Sequence, residues 1–152
     1  MTEIDLTDRK ILNLLQTEGR ISNADLAEQI NLSPSACLRR VRRLEDEGVI
    51  DSYVALLDQT AIGKPSDIFV EITVASQRDE ALRAFEAAVA ELPDVMECYL
   101  MSGSSDYMLR VAAADTADFE RIHKNLAQLP GLERTRSSFV LRTVCKKTAF
   151  HL

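Results

Sequence analysis

The chain has 152 residues and carries 18 Lys and Arg against 24 Asp and Glu, a formal net charge of −6. That length suits two small domains, and the acidic balance excludes strong sequence-independent attraction to nucleic acid, so any such contact has to be concentrated in a local patch. Cys37, Cys98 and Cys145 form no C-x-x-C motif, no signal peptide is read, and no apolar run approaches ~18 residues; reduced thiols in a cytoplasmic protein are expected.

The first predicted helix lies after Leu6-Thr7, with apolar positions at Ile11, Leu12, Leu14 and Leu15. Thr7 has the chemistry of its N-cap, Leu6 and Ile11 stand at the spacing of a hydrophobic staple, and Gly19 suits a left-handed residue just past its end. A second helix is predicted from Ser22, with Asp25 as a shortened capping-box partner and Leu26, Ala27 and Ile30 facing inward. Only Asn31-Leu32 separates it from the next helix start, the tight link of a helix-turn-helix.

The third helix is predicted over 34–47, with Ser33 as N-cap and Pro34 in the first turn. Leu38, Val41 and Leu44 are assigned to its apolar face, and Ser35, Arg39 and Arg43 to the opposite face. Arg39, Arg40, Arg42 and Arg43 make four arginines in five positions. Most charge runs are only solvated faces, but a three-helix setting with the last helix arginine-faced fits a major groove. In that reading Ser35 and Arg39 reach base edges, while Arg40, Arg42 and Arg43 hold phosphates. Residues 1–60 nevertheless hold seven Lys and Arg against eleven Asp and Glu, so pairing of two copies is expected to supply enough contacts.

Beyond Gly48, the stretch Val49 to Leu57 has strand character, and Lys64-Pro65-Ser66 closes a connection. The expected division is a helix-turn-helix domain over 1–50, a strand linker over 51–65 and a second domain over 66–152. The second domain contains a repeat offset by 37 residues: Leu82, Phe85, Val89 and Leu92 recur as Phe119, Ile122, Leu126 and Leu129. Asp79 and Thr116 occupy equivalent cap positions, and Leu92-Pro93-Asp94-Val95 recurs as Leu129-Pro130-Gly131-Leu132. Strands are predicted near 67–75, 95–101, 107–113 and 134–145, giving the order βαββαβ of a ferredoxin-like sandwich and an α+β chain overall. The last strand alternates Ser137, Phe139 and Leu141 with Ser138, Val140 and Arg142, so both sheet faces are occupied. Two helices cover one face, and a homodimer is expected to cover the other.

Between the middle strands lies Met101-Ser102-Gly103-Ser104-Ser105-Asp106-Tyr107. By itself this reads as a hairpin, with Gly103 for an unusual backbone angle and Ser and Asp for turn hydrogen bonds. Functionally, its free N–H groups could take a small carboxylate and Asp106 an ammonium. No metal ligand set is expected: His123 is placed on the wet side of a helix and His151 in the tail, neither with a second His or Cys at ligand spacing.

Ser33-Pro34-Ser35-Ala36-Cys37-Leu38-Arg39-Arg40, then Leu44-Glu45 and Gly48-Val49-Ile50, resemble the helix-turn-helix of the Lrp/AsnC family of transcription regulators. Gly103-x-x-Asp106-Tyr107 and Ser137-Ser138-Phe139-Val140-Leu141 are similar to that family's amino-acid-sensing domain, so the resemblance spans essentially the whole chain. It implies an N-terminal (winged) helix-turn-helix on a pseudo-palindromic double-stranded operator, and dimers that assemble to tetramers or octamers with an amino-acid effector between subunits. Carried over, Ser33, Ser35, Ala36, Arg39, Arg40 and Arg43 become DNA contacts. Met101, Ser102, Gly103, Ser104, Asp106, Tyr107, Ser137 and Ser138 become effector contacts. Val95 to Leu100 and Lys147-Thr148-Ala149 look like members that govern branched-chain amino-acid catabolism, in the nucleoid of a bacterium or archaeon. Two other readings are an enzyme of the sirohaem decarboxylase type, which resembles this architecture, and an amino-acid-binding module without DNA binding. No catalytic residue and no cofactor is assigned.

Overall fold

The computed structural model describes residues 3–152 and divides into two compact units, one running to Leu56 and joined by Val144–Leu152, the other Leu57–Thr143. The sequence division placed 144–152 with the second domain; the tail instead belongs to the first unit. Gln16 Nε2 donates to the Phe150 carbonyl at 3.1 Å, and the Phe150 N–H donates to Gln16 Oε1 at 2.6 Å.

The first unit holds α1 (Leu6–Thr17), α2 (Asn23–Gln29) and α3 (Pro34–Asp46). Its core is Ile11, Leu12, Leu26, Ala27, Ile30, Cys37 and Leu44, with Val41, Val49 and Ile50 packed against it. Ser22 and Ser33 cap α2 and α3 as expected, each accepting the N–H three residues on. α1 differs. Its cap is Asp5, which accepts from the Thr7 and Asp8 N–H groups while Asp8 reaches back to the Asp5 N–H; Thr7 lies one turn-step inside. A carboxylate that takes two orphan donors outcompetes a hydroxyl that would take one. With the helix starting earlier, Leu6 is solvent-exposed and forms no staple, and Gly19 does not take a left-handed angle. That conformation falls instead on Asn31, with φ 56°, in the turn between α2 and α3.

On α3 the buried positions are Cys37 and Leu44 with Val41 half-buried, whereas Leu38 is exposed. At about 100° per residue, positions 37, 41 and 44 fall within one narrow stripe, and 38 lies outside it. The expected strand over 49–57 is absent: residues 51–58 are exposed and have no regular structure. Strand propensity needs a neighbouring strand to bond to, and no described segment supplies one.

The second unit is βαββαβ: β1 (Ser66–Val74), α4 (Asp79–Ala90), β2 (Val95–Leu100), β3 (Tyr107–Ala113), α5 (Thr116–Leu126) and β4 (Leu132–Phe139). The antiparallel sheet has order β2-β3-β1-β4, with Val70 opposite Leu109 and Ser137. Ile68, Val70, Ile72, Leu109 and Val111 point into the core against Phe85, Val89, Ile122 and Leu126. The two repeated helix faces therefore pack on one sheet face, as their spacing predicts. Helix caps fall one residue before the expected ones, at Arg78 and Asp115; only Asp115 bonds through its side chain, to the Asp118 N–H. β4 stops at Phe139 rather than 145, and Leu141 is fully exposed beyond it. β1, its one neighbour among the described residues, begins at Ser66, so the chain beyond Val140 has little left to pair with.

Lys64 stitches the preceding turn to this unit through Asp94 and Asp118 at 3.1 and 3.0 Å. The Ala114 N–H, then Arg121 and Lys64, hold the Asp118 carboxyl far below the usual range. Asp5 is likewise lowered to about 2, first by the Asp8 N–H and then by Arg40.

A group whose folded pKa is depressed stabilises above its unfolded pKa and loses that contribution as pH falls through the folded value. The first unit should thus lose stability between about pH 4 and about pH 2, and Asp5→Asn should flatten this slope in acid unfolding followed by circular dichroism. Leu126→Ala removes a fully buried side chain and should cost about 2–5 kcal/mol in the second unit, read by urea unfolding.

Candidate nucleic-acid interface and effector cleft

The exposed side of α3 is organised by the same helical arithmetic that buries Cys37, Val41 and Leu44. Ser35, Leu38, Arg39, Arg42, Arg43, Asp46 and Glu47 line an open surface groove of ≈ 570 Å³. Ser35, Arg39 and Arg42 are exposed, and among the described residues neither Arg39 nor Arg42 has an ion-pair partner. Ser33 Oγ is spent on the Ala36 N–H at 3.3 Å and lies 3.3 Å from Ser35 Oγ, so Ser33 and Ala36 act through the cap. Asn23 Nδ2 donates to the Pro34 carbonyl at 2.9 Å, pinning the start of α3 to α2.

Arg40 and Arg43, expected at phosphates, are turned onto α1. Arg40 Nη1 donates to Asp5 Oδ2 at 2.8 Å and to Asp8 Oδ1 at 2.9 Å, and Arg43 Nη2 donates to Asp8 Oδ2. These acceptors raise the Arg40 pKa further. Arg42 thus replaces Arg43 on the outer face, since it lies about 20° from Ser35 around the helix and Arg43 about 80°. Leu38, assigned to the core by sequence, joins that face as an apolar element among cations.

In the second unit, Glu71, Thr73, Ser104, Ser105, Arg134, Thr135 and Arg136 line a cleft of ≈ 370 Å³. Its cationic wall is Arg134 and Arg136; Arg136 Nη2 donates to Glu71 Oε1 at 2.7 Å. The loop between β2 and β3 supplies Ser104 and Ser105, while Met101, Ser102 and Gly103 are exposed beside them in sequence. Gly103 has no left-handed angle, and an added Cβ would meet nothing, so no steric demand for glycine operates here.

Asp106 and Tyr107 both make hydrogen bonds that anchor the fold. Asp106 Oδ2 accepts the Val74 N–H at 2.8 Å and Oδ1 accepts Gln77 Nε2 at 2.6 Å, tying the loop to the end of β1. Tyr107 is buried, stacks near Phe85 at 4.5 Å and donates its hydroxyl to Glu86 at 2.8 Å; burial first, then that carboxylate, pushes its pKa up. Ser137 and Ser138 sit on opposite sheet faces, opposite Val70 and Phe69, and neither lines the cleft. Glu71, Thr73, Arg134, Thr135 and Arg136 were missed from sequence. Only the β1–β4 register brings them together, although the alternation Arg134-x-Arg136 was visible.

Among the described residues no three His, Cys, Asp or Glu side chains gather as a metal site, and no helix is long and apolar enough to cross a membrane. His123 faces Thr135 Oγ1 at 3.4 Å and Phe119, and lines neither surface described above.

Two family profiles match the chain: winged helix-turn-helix DNA-binding over residues 4–51 and Lrp/AsnC ligand binding domain over residues 67–150. The leucine-responsive regulatory protein of Haemophilus influenzae is 42% identical over 148 residues, covering 97% of this chain and 89% of that protein. The Bkd operon transcriptional regulator of Pseudomonas aeruginosa is 39% identical over 150 residues, 98% of each. A transcriptional regulator of Neisseria meningitidis solved with L-methionine superposes with a TM-score of 0.92 at 34% identity, over 97% of this chain and 96% of that one. Both halves match in the same order as in relatives of nearly equal length, and the chain belongs to the Lrp/AsnC family of DNA-binding transcription regulators.

Proposed function

We propose that the chain reads a pseudo-palindromic double-stranded operator as a homodimer, assembling further to tetramers or octamers, and that an amino acid bound between subunits alters this binding. The observation that carries the DNA half is the outer face of α3, where Ser35, Leu38, Arg39 and Arg42 stand opposite the core and, among the described residues, the two arginines have no ion-pair partner. Arg39 donates to a guanine edge, Ser35 to a base edge or phosphate, and Arg42 to phosphate; Leu38 suits a thymine methyl. Ser33 and Ala36 present the helix N-terminus, whose N–H groups and dipole favour a phosphate.

Assembly is supported by apolar surface that one chain leaves open. Tyr53, Val54, Leu56 and Leu57 are exposed along 51–58, and Phe69 and Tyr99 on the uncovered sheet face, where Arg110 is paired with Asp67 and Glu97. A second copy supplies the covering layer and the strand neighbour that the linker lacks.

The effector is a free α-amino acid, with branched-chain side chains the first class to test. Arg134 or Arg136 and the N–H groups of Ser102, Gly103 and Ser104 suit its carboxylate, and Glu71 and Asp106 its ammonium. Met101 borders this loop, and Ser138, open on the outer sheet face, is available to an effector shared between copies; Tyr107 and Ser137 act behind the site. The relative solved with L-methionine supports this ligand class. Among the described residues no histidine lines the cleft, which favours a regulator over a decarboxylase-like enzyme; a DNA-binding regulator works in the cytoplasm at the nucleoid.

Arg39→Ala should weaken selective operator binding by about 5- to 150-fold, the worth of one bidentate arginine–guanine contact, with the oligomer unchanged by light scattering. Unchanged footprints would sink the DNA assignment. Asp106→Asn keeps an acceptor for the Val74 N–H but removes the charge. Titration calorimetry with L-leucine and L-methionine should then show at least about tenfold weaker binding than wild type. Equal affinity would count against an ammonium contact.

A further inference from the structure

The four arginines of α3 divide into two pairs with different jobs. We propose that Arg40 and Arg43 are positioning residues, clamped on the buried carboxylate of Asp8 so as to fix the rotation of α3 about its axis, and that Arg39 and Arg42 alone deliver cationic contacts to DNA. This rests on the DNA-binding reading above and deepens it.

Three observations carry the inference. Asp8 is fully buried and receives one guanidinium on each oxygen, Arg40 on Oδ1 and Arg43 on Oδ2, across 32 and 35 residues of sequence. Asp5 takes a second bond from the same Arg40 Nη1, so that guanidinium is anchored by two carboxylates of one helix end. Arg43 is only partly exposed, and its buried Nε makes no hydrogen bond; the Glu47 carboxylate is 3.8 Å away. A buried carboxylate is tolerable only while its lone pairs are filled by charged donors. Swinging either arginine out to a phosphate strips one oxygen of Asp8 of its charged donor inside the unit. Both are therefore held.

The consequence is geometric. α3 is held at its start by the Asn23 contact to the Pro34 carbonyl and along its length by Asp5 and Asp8. A turn of one residue, about 100°, would exchange Arg42 for Arg43 on the outer face. The Asp8 clamp excludes that exchange, because each guanidinium reaches a different oxygen of one buried carboxylate through a single Nη, a pairing that a slipped helix cannot reproduce.

The test uses the full chain, a duplex selected from a random library against the wild type, and a random-sequence duplex of equal length. Affinity is measured from about 50 to about 200 mM salt, with active fractions determined by stoichiometric titration. Arg42→Gln, at a phosphate, should flatten the slope of log K against log salt by about one per subunit in contact, and Arg39→Gln, at a guanine edge, should lower the selected-over-random affinity ratio. Arg40→Gln, Arg43→Gln and Asp8→Asn should leave the slope as it is while lowering the selected-over-random affinity ratio by about tenfold, and Arg40→Lys should recover most of that ratio. A role in folding alone would leave the ratio of the active fraction unmoved, and that result overturns the proposal. So does a slope that falls for Arg40→Gln or Arg43→Gln as it does for Arg42→Gln. If neither Arg39→Gln nor Arg42→Gln changes slope or ratio, the DNA-binding reading itself fails. Should Asp8→Asn or Arg43→Gln not fold, Arg40→Gln, which leaves Asp8 with Arg43, carries the same readout.

Discussion

The first unit depends on a carboxylate with no access to water. Asp8 closes the capping box of α1 through the Asp5 N–H and takes Arg40 and Arg43 from α3, so one side chain both starts one helix and orients another. Burial makes the arrangement all-or-none, because an uncompensated charge at that site costs far more than a surface pair contributes. It also explains how an acidic unit presents a cationic face. Two of the four arginines of α3 are neutralised against Asp5 and Asp8, while Arg39 and Arg42 keep their charge outward. Asp46 and Glu47 border the same groove at its far end, so the potential rises toward the N-terminal half of α3, where the helix dipole is also positive.

Helices and strands with a strong period were legible, and those without a neighbour were not. The 37-residue repeat placed both helices of the second unit on one sheet face because apolar spacing and packing agree there. The linker over 49–57 and the stretch beyond Phe139 have strand-forming residues, yet no described strand lies beside them. A strand exists only as a pair, so composition marks a capacity that the fold of one chain does not use. The caps show the same logic on a smaller scale. Thr7 and Asp5 are both good cap residues, and the choice fell to the one that satisfies two donors and also meets a distant arginine.

The candidate sites were legible to the extent that they are local. Ser33, Ser35, Arg39 and Arg42 sit within one helix, and a helical wheel nearly suffices; misplacing Leu38 rather than Cys37 in the core rotated the wheel enough to favour Arg43 over Arg42. The candidate effector cleft is not local. Glu71, Thr73 and Arg134 to Arg136 meet only through antiparallel register, and Ser104 and Ser105 arrive from a loop on the next hairpin. Asp106 and Tyr107 look like ligand groups in sequence because ligand groups and turn or core anchors draw on the same polar chemistry. Here their hydrogen bonds to Val74, Gln77 and Glu86 hold the loop from which a ligand would be approached.

Each unit has its own hydrophobic core, with no residue shared between them. The chain crosses between units twice, at Leu56–Leu57 and at Thr143–Val144, and the second crossing continues into a tail bonded to α1 through Gln16. The tail is lightly held: Phe150 is exposed, and its two hydrogen bonds with Gln16, together with that from Asn13 Nδ2 to the Leu152 carbonyl, are worth about 0.5–1.5 kcal/mol each. Coupling between binding sites is typically about 1–3 kcal/mol, the same size as such an anchor. A contact of that size can be made or broken by a bound ligand, whereas a far stronger one would stand irrespective of it.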